Sequence, residues 1–298
     1  MTILRRRADR QIDWQDDEVP SNGPSAVRPG IMPMRSTQRH SQARLVRAIE
    51  EEVIPRLVLA RRGASKTASS AAPDGSVPGT AEVLKFARLV LTADAAAANA
   101  YVTALHARGT PVETLYLDLL APAARHLGDL WCADACDFAT VTVGLGRLQQ
   151  VLHELSPAFN GELEHREHGR RALLVPVPGE QHTFGLLMVV EFFRRAGWDV
   201  WSGTKGSGYD PVRLVRSEWF AVVGLSVGSE TRIDALSTGI RAIRRASVNR
   251  DIGILVGGPI FIAHPELVAR VGADATAMDG GQAALQAENL LTLLPHRN

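Results

Sequence analysis

Short apolar segments alternate with helical patterns from Arg170 to residue 298. The apolar segments have the length of strands, and the stretches between them carry apolar residues at helical spacing. Such alternation is typical of an α/β fold with a parallel, doubly wound sheet, and we expect the flavodoxin-like (Rossmann-type) strand order over residues 170–298. We predict strands near 171–177, 198–202, 219–225, 252–256 and 274–278, and helices near 184–196, 209–216, 231–246, 264–270 and 280–294.

The segment before this domain has a different pattern. Four helical stretches joined by short turns predict a compact up-and-down four-helix bundle over residues 80–155. The predicted helices cover about 81–91, 94–107, 111–131 and 137–155. Residues 156–169, with Pro157, Gly161 and several charges, are predicted to be a linker between bundle and sheet.

The N-terminal part is predicted to contain a single helix. Residues 1–40 mix charges with four prolines and show no hydrophobic period, which predicts a disordered arm. An apolar residue then recurs every four positions over residues 41–62, at Leu45, Ile49, Val53 and Leu57. This spacing predicts an amphipathic helix whose apolar stripe needs a partner. Residues 63–79 are predicted to be a flexible linker.

Composition excludes several classes of protein. A net charge of +1 provides no field for attracting nucleic acid or anionic membranes, and no apolar run is long enough for a transmembrane helix. Cys132 and Cys136 are too few for a disulfide framework, and without a second pair they do not predict a zinc site. The arginine-rich N-terminus has no apolar signal core. We therefore expect a cytoplasmic protein.

A histidine lies in the loop that follows the first predicted strand, Glu180-Gln181-His182-Thr183-Phe184-Gly185. Ligands of open α/β sheets bind at the carboxyl edge of the sheet, where this loop is placed. Glu180 is close enough in sequence to accept the proton of one ring nitrogen of His182 and leave the other free for a metal. His182 is therefore a candidate metal ligand.

Small residues follow three other predicted strands at the same edge of the sheet. They form the clusters Gly203 to Gly208, Gly224 to Gly228 and Gly257-Gly258-Pro259. Residues without bulky side chains leave a slot between sheet and helices and let the backbone approach a ligand closely. Ser226 adds a hydroxyl at the wall of this slot. One histidine beside a glycine-walled channel favours a large metal-bearing cofactor with a tail.

These motifs resemble those of the cobalamin-binding domain, which carries D-x-H-x-x-G, then S-x-L, then G-G at characteristic distances. The corresponding segments of this chain have similar spacing and read Glu180-x-His182-x-x-Gly185, Ser226-Val227-Gly228 and Gly257-Gly258. Two positions depart from the family pattern. Glu180 replaces the aspartate of the first motif, and Gly228 replaces the leucine of the second.

The resemblance implies cobalamin as the cofactor and assigns a role to each motif residue. His182 would be the lower axial ligand of cobalt, and Glu180 would be the hydrogen-bonding partner of its ring. Ser226, Gly257 and Gly258 would line the channel for the displaced tail. The departures at Glu180 and Gly228 favour a regulator over an enzyme.

The predicted bundle also resembles part of a cobalamin regulator. Leu127-Gly128-Asp129-Leu130-Trp131 is similar to the cap motif of light-sensing cobalamin proteins, and this likeness implies that Trp131 covers the upper face of the cofactor. The Glu-His of those photoreceptors would fall on Val141-Thr142. Cys132 stands where they have a cobalt-binding histidine. The upper ligand stays open among Cys132, His126 and His153.

Residues 42–298 are similar to the PpaA/AerR family of antirepressors from purple photosynthetic bacteria. The likeness is carried by residues 48–60, 180–185 and 226–228. It implies a light-responsive transcriptional regulator, not an enzyme, that acts on a DNA-binding repressor of the PpsR/CrtJ type. Direct contact with DNA would be at most secondary. A corrinoid carrier in methyl transfer and a heme-binding sensor of the same fold are the alternatives.

Overall fold

A computed structural model describes residues 77–161, 169–203 and 210–293 of the 298-residue chain. The predicted arm over 1–40 and the predicted helix over 41–62 lie outside the described residues. So do most of the 63–79 linker, residues 162–168 of the second linker and most of the cluster from Gly203 to Gly208.

Helices form the first part of the described chain. They are α1 (Thr80–Thr92), α2 (Ala95–Ala107), α3 (Val112–Thr114), a π-helical stretch (Leu115–Leu120), α4 (Ala121–Cys132) and α5 (Phe138–Asn160). The third predicted helix is thus continuous from Val112 to Cys132, with wider turns in its middle. Aspartates cap two of these helices, because Asp94 accepts from the N–H of Ala97 and Asp137 from that of Thr140, each at 2.8 Å.

Helix α5 is longer than the sequence indicates. We predicted an end near Leu155, followed by a linker that starts at residue 156, but the helix continues to Asn160 with Pro157 inside it. Proline lacks the N–H of a helix bond, which favours an end at this point. The ring of Phe159 outweighs this loss, since it is buried with its centroid 4.5 Å from that of Tyr116 and 4.9 Å from that of Phe192.

The second part of the chain contains a five-stranded parallel sheet of order β2-β1-β3-β4-β5. The strands are β1 (Arg171–Pro176), β2 (Asp199–Ser202), β3 (Val222–Ser226), β4 (Gly253–Gly257) and β5 (Ala275–Thr276). All strands have the same direction, so their carboxyl ends meet at one edge. The predicted flavodoxin-like fold is confirmed.

Helices cover both faces of this sheet. On one face lie α6 (Phe184–Arg195) and α11 (Gly280–Leu293). On the other lie α7 (Pro211–Ser217), α8 (Ile233–Ala246), α9 (Pro259–Ala263) and α10 (Glu266–Val271). The prediction missed α9, because its Gly-Gly-Pro start reads as a turn in the sequence. The helix predicted at 264–270 corresponds to α10.

Helix α6 belongs to two hydrophobic cores at once. Leu186, Val190 and Phe193 pack into the core between the sheet and α11. Phe184, Met188 and Phe192 pack into the core of the bundle. Helix α6 thus carries apolar side chains on two of its sides. The helix that begins directly after the His182 loop is therefore held by the bundle and by the sheet.

A buried carboxylate adds polar contacts where α5 meets α6. Glu191 of α6 is 5% exposed and accepts hydrogen bonds from the Ser156 hydroxyl and, at 2.8 Å, from the Asn160 amide. Arg194 donates to its other oxygen at 2.8 Å. A buried carboxylate needs such donors, so this contact favours one arrangement of the two helices.

No helix within the described ranges is long and apolar enough to cross a membrane.

Candidate functional site

The loop after β1 forms a tight turn before α6 begins. The N–H of Glu180 donates to the carbonyl of Val177 at 2.9 Å, and Gly179 adopts a φ of 78°. This left-handed conformation favours glycine at position 179. The turn places Glu180 and His182 at the carboxyl edge of the sheet, between the end of β1 and the start of α6.

The carboxylate of Glu180 is the buried centre of the site. Its side chain is only 3% exposed. Oε1 accepts the backbone N–H groups of Gln181 and His182, both at 2.9 Å, and lies 2.6 Å from Nδ1 of His182. Oε2 accepts the N–H of Gly228 at 2.6 Å. Glu180 therefore joins the β1–α6 loop to the loop after β3.

These hydrogen bonds keep Glu180 ionised. Burial raises the pKa of the carboxyl group, but the N–H donors of His182 and Gly228 outweigh this effect, with a further contribution from the imidazole. The net result is a pKa below the ordinary value of 4.5. Glu180 is thus a hydrogen-bond acceptor at neutral pH, and the proton between it and His182 belongs on the ring.

His182, in contrast to Glu180, is exposed to solvent. Its side chain is 72% exposed, although its Nδ1 contacts the buried carboxylate. A proton on Nδ1 leaves the lone pair on Nε2 in the neutral ring. Within the described part of the chain, Nε2 has no hydrogen-bonding partner in the structure. The predicted contact between Glu180 and His182 is therefore present, and it orients an accessible nitrogen donor for a metal.

Ser226 and Gly257 end neighbouring strands beside this loop. Ser226 pairs with Pro176 of β1 on one side and with Gly257 of β4 on the other. The hydroxyl oxygen of Ser226 is buried and has no hydrogen-bonding partner in the described structure. A buried hydroxyl without a partner is costly, so this atom is suited to a polar group of a ligand.

Gly257 and Gly258 differ in the space around them and in their backbone conformation. A Cβ built on Gly257 would meet nothing within 4 Å, so open space lies beside this residue. Gly258 has a φ of 130°, and a Cβ there would collide with the carbonyl oxygen of Val227. Position 258 therefore requires glycine, whereas Gly257 leaves open space at the end of β4. Gly185, in the first turn of α6, is exposed and also has open space beside it.

Trp131 lies at the end of α4 and is not a core residue. It is 43% exposed, and its ring centroid lies 6.2 Å from that of Phe138, which is 66% exposed. Within the described ranges, it shares no hydrogen bond or ring contact with the residues around Glu180. Of the side chains considered for the upper position, Cys132 and His153 are exposed and His126 is partly buried. The structure does not favour one of them.

Sequence reasoning missed Arg232, which holds the same loop from another side. Its guanidinium donates to the carbonyl of Pro178 at 2.8 Å and covers Gly179, where a Cβ would lie 2.6 Å from Nη1. Arg232 ends the 3₁₀ turn Glu230–Arg232 after β3. An arginine in a loop carries no motif, so no sequence signal indicated this contact.

Comparison with known proteins identifies the sheet domain that carries this site. Residues 170–287 match the B12 binding domain family. The chain is 32% identical over 169 residues to an uncharacterized 20.5 kDa protein in the bchF-crtJ intergenic region of Rhodobacter capsulatus. That match covers 57% of this chain and 88% of the relative.

Residues 170–287 of this chain are a B12-binding domain.

The fold of the B12-binding domain also occurs in a solved corrinoid protein. The monomethylamine corrinoid protein of Methanosarcina barkeri superimposes with a TM-score of 0.60 at 16% identity. The likeness covers 71% of this chain and all of that protein. It shows a shared fold. The matches support a cobalamin-type cofactor and give no support to heme.

The residues at the carboxyl edge of the B12-binding domain fit such a cofactor. The described residues contain no cluster of three histidine, cysteine, aspartate or glutamate side chains that could hold a metal ion. A corrin brings its own equatorial nitrogens, so one imidazole is a sufficient protein ligand. His182 offers that imidazole. The unpartnered hydroxyl of Ser226 and the space beside Gly257 suit a polar tail.

Proposed function

We propose that the chain binds cobalamin with His182 as the lower axial ligand of cobalt. The observation that carries this assignment is the pairing of a buried, ionised Glu180 with an exposed His182 at 2.6 Å. In this pairing Glu180 holds the ring and fixes its proton on Nδ1, which leaves Nε2 as the metal-binding atom. Ser226, Gly257 and Gly258 line the channel for the tail. Gly185 leaves open space beside the loop, and Gly228 donates its N–H to Glu180.

The upper face of the cofactor is assigned to Trp131. Its ring is exposed at the end of the bundle, beside the exposed ring of Phe138. Exposure of two neighbouring aromatic rings to water is unfavourable. Contact with the flat, apolar face of a bound ligand would remove both rings from water. The cofactor then lies between the bundle and the carboxyl edge of the sheet.

The protein's role is that of a light-responsive regulator in the cytoplasm, not of an enzyme. It acts as an antirepressor on a DNA-binding repressor of the PpsR/CrtJ type. The gene position of the relative from Rhodobacter capsulatus, next to crtJ, supports this role. The resemblance of the motifs to antirepressors of photosynthesis genes supports it too. Bound cobalamin would supply a cobalt whose upper ligand changes on illumination.

Helix α6 provides the route from cofactor to bundle. It starts two residues after His182, and its outer side is buried in the bundle core through Phe184, Met188 and Phe192. A displacement of the His182 loop therefore moves a helix on which the bundle packs. A change in the bundle then changes the surface offered to the repressor, and the predicted 41–62 helix is the segment that contacts it.

Repressor binding to promoter DNA tests this role. A repressor of the PpsR/CrtJ type is bound to its DNA, and the cobalamin-loaded chain is added in the dark or after illumination. We expect the illuminated chain to lower the bound fraction of DNA and His182→Ala to leave it unchanged. An unchanged bound fraction with the illuminated chain would reject the antirepressor role. Methyl exchange between the loaded chain and a corrinoid methyltransferase would favour a carrier instead.

A further inference from the structure

The two positions at which this chain departs from the cobalamin-binding motifs meet in space. Glu180 replaces the family's aspartate and Gly228 its leucine, and Oε2 of Glu180 accepts the N–H of Gly228 at 2.6 Å. A Cβ built on Gly228 would lie 3.3 Å from the same oxygen and 3.2 Å from Nδ1 of His182. The longer acid therefore occupies space next to the missing side chain.

The atoms around Gly228 have little freedom to move away. The carboxylate of Glu180 is 3% exposed and is held by the ring of His182 and three backbone N–H groups. The backbone of Gly228 does not have a positive φ. A side chain at position 228 is therefore opposed by these neighbours and not by backbone strain, because close packing allows few shifts of a buried hydrogen-bonded group.

We propose that Glu180 and Gly228 are a coupled pair that replaces the aspartate and leucine of the family. Glu180 is a positioning residue with two tasks, since one oxygen holds the ring of His182 and the other holds the β3 loop through Gly228. That loop directly follows Ser226, which ends β3 at the wall of the tail channel. The pair therefore fixes the metal ligand and the tail channel relative to each other. This inference rests on the proposed binding of cobalamin.

Side-chain length explains why the acid and the glycine go together. The carboxylate of Glu180 spans the distance between the ring of His182 and the N–H of Gly228, which lies 48 residues after Glu180 in the sequence. Aspartate is shorter by one methylene, so it can hold the ring but not both partners. The space that it vacates is then available for a leucine at position 228. Exchanging one residue alone leaves either a collision or a gap.

Four proteins test the coupling: wild type, Gly228→Leu, Glu180→Asp and the double variant Glu180→Asp/Gly228→Leu. Cobalamin affinity is measured by titration, and the axial ligand is read from the absorption spectrum. We expect Gly228→Leu to weaken cobalamin binding by about tenfold or more, the size of effect seen when a partner of a metal ligand is lost. We expect the double variant to bind more tightly than Gly228→Leu and to keep the histidine as lower ligand.

A second measurement avoids the cofactor. Nitrogen-detected NMR of the cofactor-free proteins reports which ring nitrogen of His182 carries the proton. The Nδ1–H form should dominate in the wild type, decrease in Gly228→Leu and return in the double variant. Gly146→Ala is the matched control, because Gly146 is exposed on α5 with open space beside it. Its affinity and its tautomer should remain those of the wild type.

The outcomes separate the two proposals. If Gly228→Leu binds cobalamin like the wild type, or if the double variant binds no better than Gly228→Leu, the coupling is wrong while the site remains. If Gly228→Leu fails to fold, circular dichroism shows it, and the folded Glu180→Asp/Gly228→Leu protein then tests the inference. An Nδ1–H ring of His182 in this protein supports the inference, and loss of the Nδ1–H form contradicts it. If the wild type itself binds no cobalamin, the proposed function is wrong.

Discussion

The ring of Phe192 lies directly against the backbone of Gly280, the first residue of α11. A Cβ on Gly280 would collide with the Phe192 ring. The centroid of the same ring lies 4.9 Å from that of Phe159 in α5 and 6.2 Å from that of Tyr116. Phe192 is therefore one side chain at which the bundle, α6 and α11 meet, and the position of each depends on this contact.

Gly280→Ala should destabilise the protein because its methyl group collides with Phe192. Overpacking of this kind costs about 1–3 kcal/mol of unfolding free energy. Gly281→Ala is the matched control, since its Cβ would lie 3.4 Å from Asp279 and 3.5 Å from Phe192, in ordinary contact. Urea unfolding of both variants measures the difference. Equal stability of Gly280→Ala and Gly281→Ala would show that the contact is not close in solution.

Glu191→Ala should loosen the bundle from the sheet. The change removes the acceptor of Ser156 and Asn160 and the partner of Arg194. A fully buried donor without an acceptor costs about 1–3 kcal/mol, and for the partly buried Ser156 and Asn160 together we expect a loss of about 2 kcal/mol in unfolding free energy. Arg194→Ala is the control, because Arg194 is 43% exposed and its pair with Glu191 is partly in water. Unfolding in denaturant measures the free energy of both variants. Equal losses of unfolding free energy in Glu191→Ala and Arg194→Ala would contradict the role of the buried acceptor.

Trp131→Ala should change the bound cofactor but not the fold. The side chain is 43% exposed, so its removal is expected to change the unfolding free energy by less than about 0.5 kcal/mol. Loss of a ring over the upper face should alter the visible spectrum of bound cobalamin and speed exchange of its upper ligand. Trp219→Ala serves as control, because Trp219 has the same 43% exposure. Identical spectra and exchange rates for the two variants would exclude Trp131 from the upper face.

Gly257→Val should weaken cobalamin binding without changing the stability of the fold. Open space lies beside Gly257 in the structure, so the protein should keep its melting temperature. In the proposed complex the same space holds the cobalamin tail, and a branched side chain should weaken cobalamin binding. Cobinamide, which lacks the nucleotide tail, should bind Gly257→Val and wild type equally. A variant that binds cobalamin like the wild type would place the tail elsewhere.

The sequence predicted the sheet well because strand and helix periods alternate clearly after Arg170, and parallel topology follows from that alternation. It predicted the end of α5 wrongly, since Pro157 indicates an end, while Phe159 is buried between Tyr116 and Phe192, which are distant from it in the sequence. The Glu180–His182 contact followed from close spacing. The bond from Gly228 to Glu180 could not, because the two residues are 48 positions apart and a glycine carries no side-chain signal.

Electron paramagnetic resonance of the cob(II)alamin-loaded protein made with nitrogen-15 histidine tests the central claim most directly. The lower nitrogen ligand splits the cobalt lines, into triplets for nitrogen-14 and doublets for nitrogen-15. With His182 as the lower ligand, the labelled wild type should give doublets, and labelled His182→Ala should not. Triplets in the labelled wild type would mean that the cofactor's own base remains bound to cobalt, and they would contradict this account.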